Sequence, residues 1–289
     1  MKLFNNHIKW FFTIAAITFA TACKKSDNPN DLPDVNPNDY TGKIDGYDSS
    51  DQIFPQNLIA YWSFDDTKNE LKSNSTPTQT AGDTFIAGVK GKAVKLTEGY
   101  LYYAKQFDAF KTDALKSFTI STWVQIANNG SKRTMLLQLA RPGIFDGNFD
   151  FRLNTQSTST TFLGIGPRFS AVSGSQDNLN ATLSPVFGSN VWTHILLTYD
   201  GTTGFFRMWA NGVEVGSYNS RGTGNALFKA YEPTEFIIGG NYNVIPGKAV
   251  NTDANYAAMT GSLDELRIFN RVLPDAHIKA LYNLGKAGK

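Results

Sequence analysis

Between residues 57 and 289 the chain reads as short apolar or alternating runs separated by Gly, Asp, Asn and Ser. Across residues 117–126, Phe118, Ile120, Thr122 and Val124 alternate with Thr119, Ser121, Trp123 and Gln125, the period-two pattern of a β-strand. Runs at 58–64, 93–97, 100–104, 134–140, 149–154, 161–165, 191–199, 205–210, 213–218, 236–238 and 261–269 share its enrichment in β-branched and aromatic residues. Asn211-Gly212 stands between two such runs and predicts a hairpin, because both turn residues must accept positive φ; Asp200-Gly201 is a second candidate. One helix is predicted at the end of the chain. Pro274 suits its first turn, Ile278, Leu281 and Tyr282 give it one apolar face, and Gly285 is placed to close it. A dozen antiparallel strands and one terminal helix predict an all-β, two-sheet antiparallel sandwich. Within it Trp62, Phe64, Phe118 and Trp123 are expected in the core, and the polar insert 166–185 as a surface loop.

The first 56 residues have a different texture. Residues 1–22 carry Lys2 and Lys9, no acid, and an apolar run of 12 residues, too short for a spanning helix of roughly 20. This is the layout of an export signal. Ala20, Thr21 and Ala22 precede Cys23, the only cysteine, in an arrangement that resembles a bacterial lipobox. The resemblance implies cleavage after residue 22, acylation of Cys23 and a lipid-anchored protein of the bacterial envelope, at the outer membrane and surface-exposed. Residues 24–56 hold seven Asp and four Pro with few large apolar side chains, so 23–56 is expected to be a lipidated flexible tether, its free coil spanning roughly 30 Å.

Composition narrows the function. Aromatic residues reach 13% and charged residues only 18%, which excludes a disordered chain. Without residues 1–22, 25 Lys and Arg face 25 Asp and Glu, so no cationic excess exists to bind nucleic acid. With its only cysteine at 23, the folded part has no disulfide, thiolate metal site or thiol nucleophile. No Gly-x-Ser-x-Gly elbow occurs, and His194 and His277 are the only histidines after residue 22, too few for a histidine zinc site.

Several segments together resemble a known family: 58–66 (LIAYWSFDD), 88–96 (GVKGKAVKL), 117–124 (SFTISTWV), 192–195 (WTHI), 199–201 (YDG), 209–213 (WANGV), 261–270 (GSLDELRIFN) and 271–275 (RVLPD). In order and spacing they are similar to the laminin-G-like jelly-roll domains of the concanavalin A-like lectin/glucanase superfamily, over about residues 57–289. The resemblance implies a jelly roll whose first and last strands, around Tyr61-Trp62 and Ile268-Phe269, meet in one sheet. It also implies non-catalytic binding of polysaccharide, in support of glycan capture beside other envelope proteins of an uptake system. The alternatives are a protein–protein adhesion module and a glycoside hydrolase or lyase. Glucanases of this fold carry a Glu-x-Asp-x-x-Glu run on one strand. This chain has none: Asp264-Glu265 are adjacent, and Asp146 and Asp150 are separated by Gly147. Relatives hold a structural calcium ion near the first and last strands, which places Asp65, Asp66 and Asp264 as its carboxylates. Sugar recognition needs rings for the apolar faces of pyranoses and polar groups for hydroxyls. Loop-borne candidates are Phe145 and Asp146 with Arg141 and Arg152 beside them, and Asn241 with Tyr242 after a Gly-Gly pair.

Overall fold

The computed structural model describes residues 41–105, 107–111, 116–160, 163–171, 174–177, 187–218 and 232–289. The expected signal segment, Cys23 and the expected tether up to residue 40 lie outside these residues. Gly42–Lys289 is one compact unit.

The strands are β1 (Leu58–Trp62), β2 (Gln79–Ala87), β3 (Lys92–Tyr103), β4 (Phe118–Gln125), β5 (Arg133–Ala140), β6 (Phe149–Leu153), β7 (Ile165–Ala171), β8 (Gly174–Asp177), β9 (Thr193–Tyr199), β10 (Phe206–Ala210), β11 (Val213–Tyr218), β12 (Glu235–Ile238), β13 (Tyr256–Ala257) and β14 (Met259–Phe269). Helix α1 spans Asp275–Lys286. Hydrogen bonding runs in the order β11-β10-β9-β4-β14-β3-β12-β5-β6-β7-β8, with β1 on β14, β2 on β3, and β13 parallel to β5. The first and last strands meet as expected, with Tyr61 opposite Arg267 and Trp62 opposite Leu266.

The ladder is continuous, and β3 joins its two halves: β11-β10-β9-β4-β14 with β1, here the first sheet, and β12-β5-β6-β7-β8, the second. The first half of β3 pairs with β14 (Val94 with Leu263, Leu96 with Gly261) and its second with β12 (Leu101 with Ile238, Tyr103 with Phe236). Between them the β2 register slips past Gly82, which has φ +63, and Glu98 has φ +47. A Cβ on Gly82 would stand 2.2 Å from the Thr97 carbonyl oxygen. This bulge bends the ladder and folds it into a two-sheet jelly-roll sandwich. The runs at 93–97 and 100–104 are thus two arms of one bent strand.

The inner faces form the main core, where Trp62 stacks on Phe236 at 5.0 Å and its Nε1 donates to Tyr103 Oη at 3.0 Å. Trp62, Phe64 and Phe118 are in this core; Trp123 is buried as well, but outside this cluster. Alternation with Val124 turns Trp123 to the outer face, where it stacks on Tyr282 of α1 at 5.7 Å. Gly285 does not close the helix: it lies within it, and its missing Cβ would stand 2.6 Å from Trp123 Nε1. Gly288, at φ +71, follows the helix end. The insert expected as a loop at 166–185 instead begins as the β7–β8 hairpin.

The boundary of the folded part also moves. Residues 42–56, expected within the tether, pack with α1 against Leu196, Trp209 and Phe269 on the outer face of the first sheet. Their few apolar residues, Ile44, Tyr47, Ile53 and Phe54, are the ones that pack there, with Ile53 buried. Asp51 accepts from Arg267 Nη2 at 2.7 Å and from Lys90 Nζ at 2.9 Å, and Ser50 N donates to the Lys289 carbonyl at 3.2 Å. Arg267 is 2% exposed and also pairs with Glu265, so Asp51 completes the pairing of a buried cation.

Two outcomes are expected. A chain starting at residue 57 melts roughly 5–10 °C below one starting at residue 42, because it loses the burial of Ile53 and its neighbours; equal melting temperatures in scanning calorimetry would contradict the docking. Gly285→Ala costs about 1–3 kcal/mol in denaturant titration through overpacking against Trp123, whereas a gain in stability would refute that packing.

Candidate functional site

The outer face of the second sheet carries an unusual set of polar side chains. Leu137, Leu139, Phe149, Phe151 and Phe169 enter the core, so alternation turns Gln138 on β5, Asp150 and Arg152 on β6 and Arg168 on β7 outward. Gln138, Asp150 and Arg168 are directly opposite one another and form a row across three strands. Gln138 Nε2 donates to Asp150 Oδ1 at 2.7 Å and to the Phe145 carbonyl at 3.0 Å. Gly147 N donates to the same Oδ1 at 2.9 Å. Arg168 reaches Asp146 Oδ2 at 2.9 Å and Asp150 Oδ2 at 3.5 Å. The row therefore fastens the turn between β5 and β6, and with it Phe145, onto the sheet. Burial pushes the Asp150 carboxyl up to about 6, with the Asp146 charge adding to it and Gln138 and Arg168 opposing it.

The next outward residue, Arg152, donates from Nη1 to Tyr256 Oη at 3.1 Å. Tyr256 is held on β13 opposite Arg133, and its ring meets Phe145 edge-on at 6.0 Å. Tyr256, itself only 8% exposed, also lines a cleft of about 430 Å³ with Glu98, Lys132, Asn243, Val244, Asp253, Ala254, Ala257 and Ala258. Asn243 sets the loop that walls it: its Oδ1 accepts from Val250 N at 3.0 Å and its Nδ2 donates to the Asp253 carbonyl at 2.8 Å. The three alanines keep that wall low. One ring, one ammonium and two carboxylates around a preformed hollow suit a hydroxyl-rich ligand.

The structure brings Phe145, Asp146 and Arg152 together and leaves Arg141 exposed at the start of the same turn. Asn241 and Tyr242 do not face the cleft. Asn241 is buried and its side chain accepts from Asn243 N, capping a 3₁₀ turn at Tyr242–Val244. Tyr242 is buried against Tyr102 and its hydroxyl donates to Glu235. Sequence reasoning missed Gln138, Arg168 and Tyr256, and weighed Asp150 only as half of a carboxylate pair. The available signal was polar residues at the alternate positions of strand-like runs.

The expected calcium carboxylates do other work. Asp65 Oδ1 accepts from Lys92 N at 2.7 Å, Asp66 pairs with Lys92 Nζ at 2.7 Å, and Asp264 Oδ2 accepts from Val89 N at 2.7 Å and Lys90 N at 3.1 Å. Together they clasp the β2–β3 turn. Among the described residues no group of three or more His, Cys, Asp or Glu side chains is gathered to hold a metal ion, so these residues do not fit the ion that the resemblance implies. Nor is there a triad at His194. Its Nε2 lies 2.7 Å from Ser121 Oγ, but its buried Nδ1 meets no carboxylate, and Trp123 lies against the ring. Burial, with the Arg267 charge adding to it, pushes the His194 imidazole down to about 3.

Comparison with known proteins fits this architecture. The laminin G family model described as the concanavalin A-like lectin/glucanases superfamily matches residues 99–279, more than half of the chain. The chain belongs to this family. A comparison with curated proteins finds no match. Among solved structures, domain 4 of AbnA, a GH43 extracellular arabinanase from Geobacillus stearothermophilus in complex with arabinotriose, is similar at 20% identity and TM-score 0.52, covering 78% of this chain and 97% of that one. The binding domain of Paraclostridial mosquitocidal protein 1 is similar at 17% identity and TM-score 0.55, covering 79% of this chain and 52% of that one. The binding domain of botulinum neurotoxin DC, in complex with rat synaptotagmin II, is similar at 13% identity and TM-score 0.55, with coverage of 79% and 52%. The chain thus spans about half the length of the toxin domains and nearly all of the arabinanase domain. At these identities the likeness is one of fold.

One pH dependence follows from the clasp. Burial pushes the Asp264 carboxyl from 3.8 up to about 8, with the Glu265 charge adding to it and the Lys90 and Val89 amides opposing it. A carboxyl raised on folding contributes stability that is fully present below about pH 4 and is lost as the pH rises towards 8. Asp264→Asn keeps an acceptor for both amides and removes this term. Wild-type stability is therefore expected to fall relative to the variant between pH 5 and 8, by an amount on the order of a few kcal/mol. Parallel pH profiles in denaturant titrations would contradict it.

Proposed function

We propose that this chain is a non-catalytic carbohydrate-binding module, which holds a stretch of polysaccharide in the cleft beside Tyr256 and along the rim at Phe145. The observation that carries this reading is the position of Tyr256. Its hydroxyl is fixed by Arg152, its edge meets Phe145, and it walls a cleft of about 430 Å³ whose rim bears Glu98, Lys132 and Asp253. A pyranose or furanose residue presents a C–H face to such a ring and hydroxyls to such a rim. The polar row that holds the Phe145 turn has its hydrogen bonds already made, and this preorganisation of the rim favours affinity.

A binding role is favoured over hydrolysis by the state of the obvious carboxylate pair. Asp146 and Asp150 are bridged by one arginine, and Asp150 is fully buried. Neither is posed to flank a glycosidic bond. The arabinanase domain of this fold solved with arabinotriose supports sugar as the ligand class. The Ala20-Thr21-Ala22-Cys23 run supports lipid anchoring at the bacterial envelope. There a tether ahead of residue 42 would raise the local concentration of binding sites for a captured glycan.

The test is affinity electrophoresis and titration calorimetry of the full chain against arabinan and other polysaccharides, with a parallel assay for new reducing ends. Binding without release is expected. Tyr256→Ala is expected to weaken it at least about tenfold, or about 1.4 kcal/mol, while Tyr256→Phe keeps the ring and loses less. Release of reducing sugar, or a Tyr256→Ala chain that binds like wild type, would overturn the reading.

A further inference from the structure

The outer face of the first sheet carries a second set of sugar-like contacts, unrelated to the Tyr256 cleft. Along β10, Phe206, Met208 and Ala210 enter the core, so Arg207 and Trp209 share the outer face, and Phe205 stands immediately before the strand. Helix α1 covers Trp209, but Phe205 is 46% exposed. This ring is not on a loose loop. Asp200 N donates to the Phe205 carbonyl at 3.0 Å, and the Asp200 carboxylate accepts from Thr202 N at 2.8 Å and Thr203 Oγ1 at 3.0 Å. Beside the ring lies a groove of about 350 Å³, with Thr198, Thr203 and Ser217 on its walls. Arg207 crosses it, held by Glu214 at 2.6 Å and Asp275 at 3.0 Å and lying 4.7 Å over the Trp209 ring. An aromatic face, the exposed Thr203 and Ser217 and a fixed guanidinium–carboxylate pair are thus presented to solvent together, with the buried Thr198 at the groove's base.

The charges decide which ligand suits it. Arg207 is outweighed by Glu214, Asp275 and Asp200, so the groove repels anions. Its hydroxyls and carboxylate oxygens match a ligand rich in O–H donors, and the Phe205 ring matches a C–H face. We propose that this groove is a second carbohydrate subsite, which takes an uncharged sugar residue on the outer face of the first sheet. For its ligand class the proposal rests on the reading of the chain as a glycan-binding module; its position is independent of the Tyr256 cleft. With sites on the outer faces of two different sheets, one chain bridges two glycan segments.

The test titrates the full chain with neutral oligosaccharides of three to six units derived from arabinan, galactan, xylan, mannan and glucan. Wild type is compared with Phe205→Ala, Ser217→Trp, which fills the groove from an exposed position, and Tyr256→Ala. Wild type is expected to show two binding events and to raise the turbidity of a soluble polysaccharide. Phe205→Ala and Ser217→Trp are each expected to lose one event, to weaken polysaccharide retention by about tenfold, and to lose the turbidity, with melting unchanged. If both titrate as wild type while Tyr256→Ala loses binding, the second subsite is refuted and the cleft reading stands. If they abolish binding and Tyr256→Ala does not, the second subsite stands and the cleft reading falls. If no oligosaccharide binds wild type, both are overturned.

Discussion

The bend in β3 is the constraint on which the rest of this structure depends. A flat ladder of this many strands would leave two apolar faces in water. At Glu98 and Gly82 the backbone takes positive φ, and Gly82 comes too close to the Thr97 carbonyl to bear a side chain. The ladder turns there, and its two halves bury one face against each other. What remains is one outer face on each half, and each has its own cover. Helix α1 and residues 42–56 lie on one, and the β5–β6 turn and the loop after β12 lie on the other.

These covers are tied down by polar groups. On the first face Arg267 is buried among Glu265, Asp51 and Tyr61, with Glu265 turned to reach it by a positive φ of 51° in an irregular stretch of β14. On the second, Gln138, Asp150 and Arg168 hold the turn that carries Phe145. Removing one partner of a buried charge leaves the other uncompensated, so such groups specify a single arrangement more than they add stability. The same rigidity that fixes each cover positions a ring at its edge: Tyr256 through Arg152 on one face, Phe205 through Asp200 on the other.

Much of the architecture was legible in the sequence, for a definable reason. The alternation in β4, the Asn211-Gly212 hairpin at φ +50 and +74, and the apolar stripe of α1 are local signals, and each corresponds to an element. β2 went unread because neither of its faces is fully buried, so its residues show no clear alternation. Residues 42–56 read as tether because four apolar residues are diluted by Asp, Ser, Gly and Gln; their docking depends on partners more than 200 residues away. The candidate site was half legible for the same reason. Phe145, Asp146 and Arg152 are close in sequence, whereas Tyr256 joins them only through the pairing of β13 with β5. Asn241 and Tyr242 had the right composition for a site, yet the loop uses both for its own packing.

The account turns on the claim that a preformed, ring-walled cleft binds sugar without cleaving it. The most direct measurement is an experimental structure of the full chain in complex with the neutral oligosaccharide that binds it best. The account predicts intact electron density for the sugar against the Tyr256 ring, with hydroxyls at Lys132, Glu98 or Asp253 and the Gln138–Asp150–Arg168 row unmoved. A cleaved sugar, or an intact one bound away from both Tyr256 and Phe205, would contradict it.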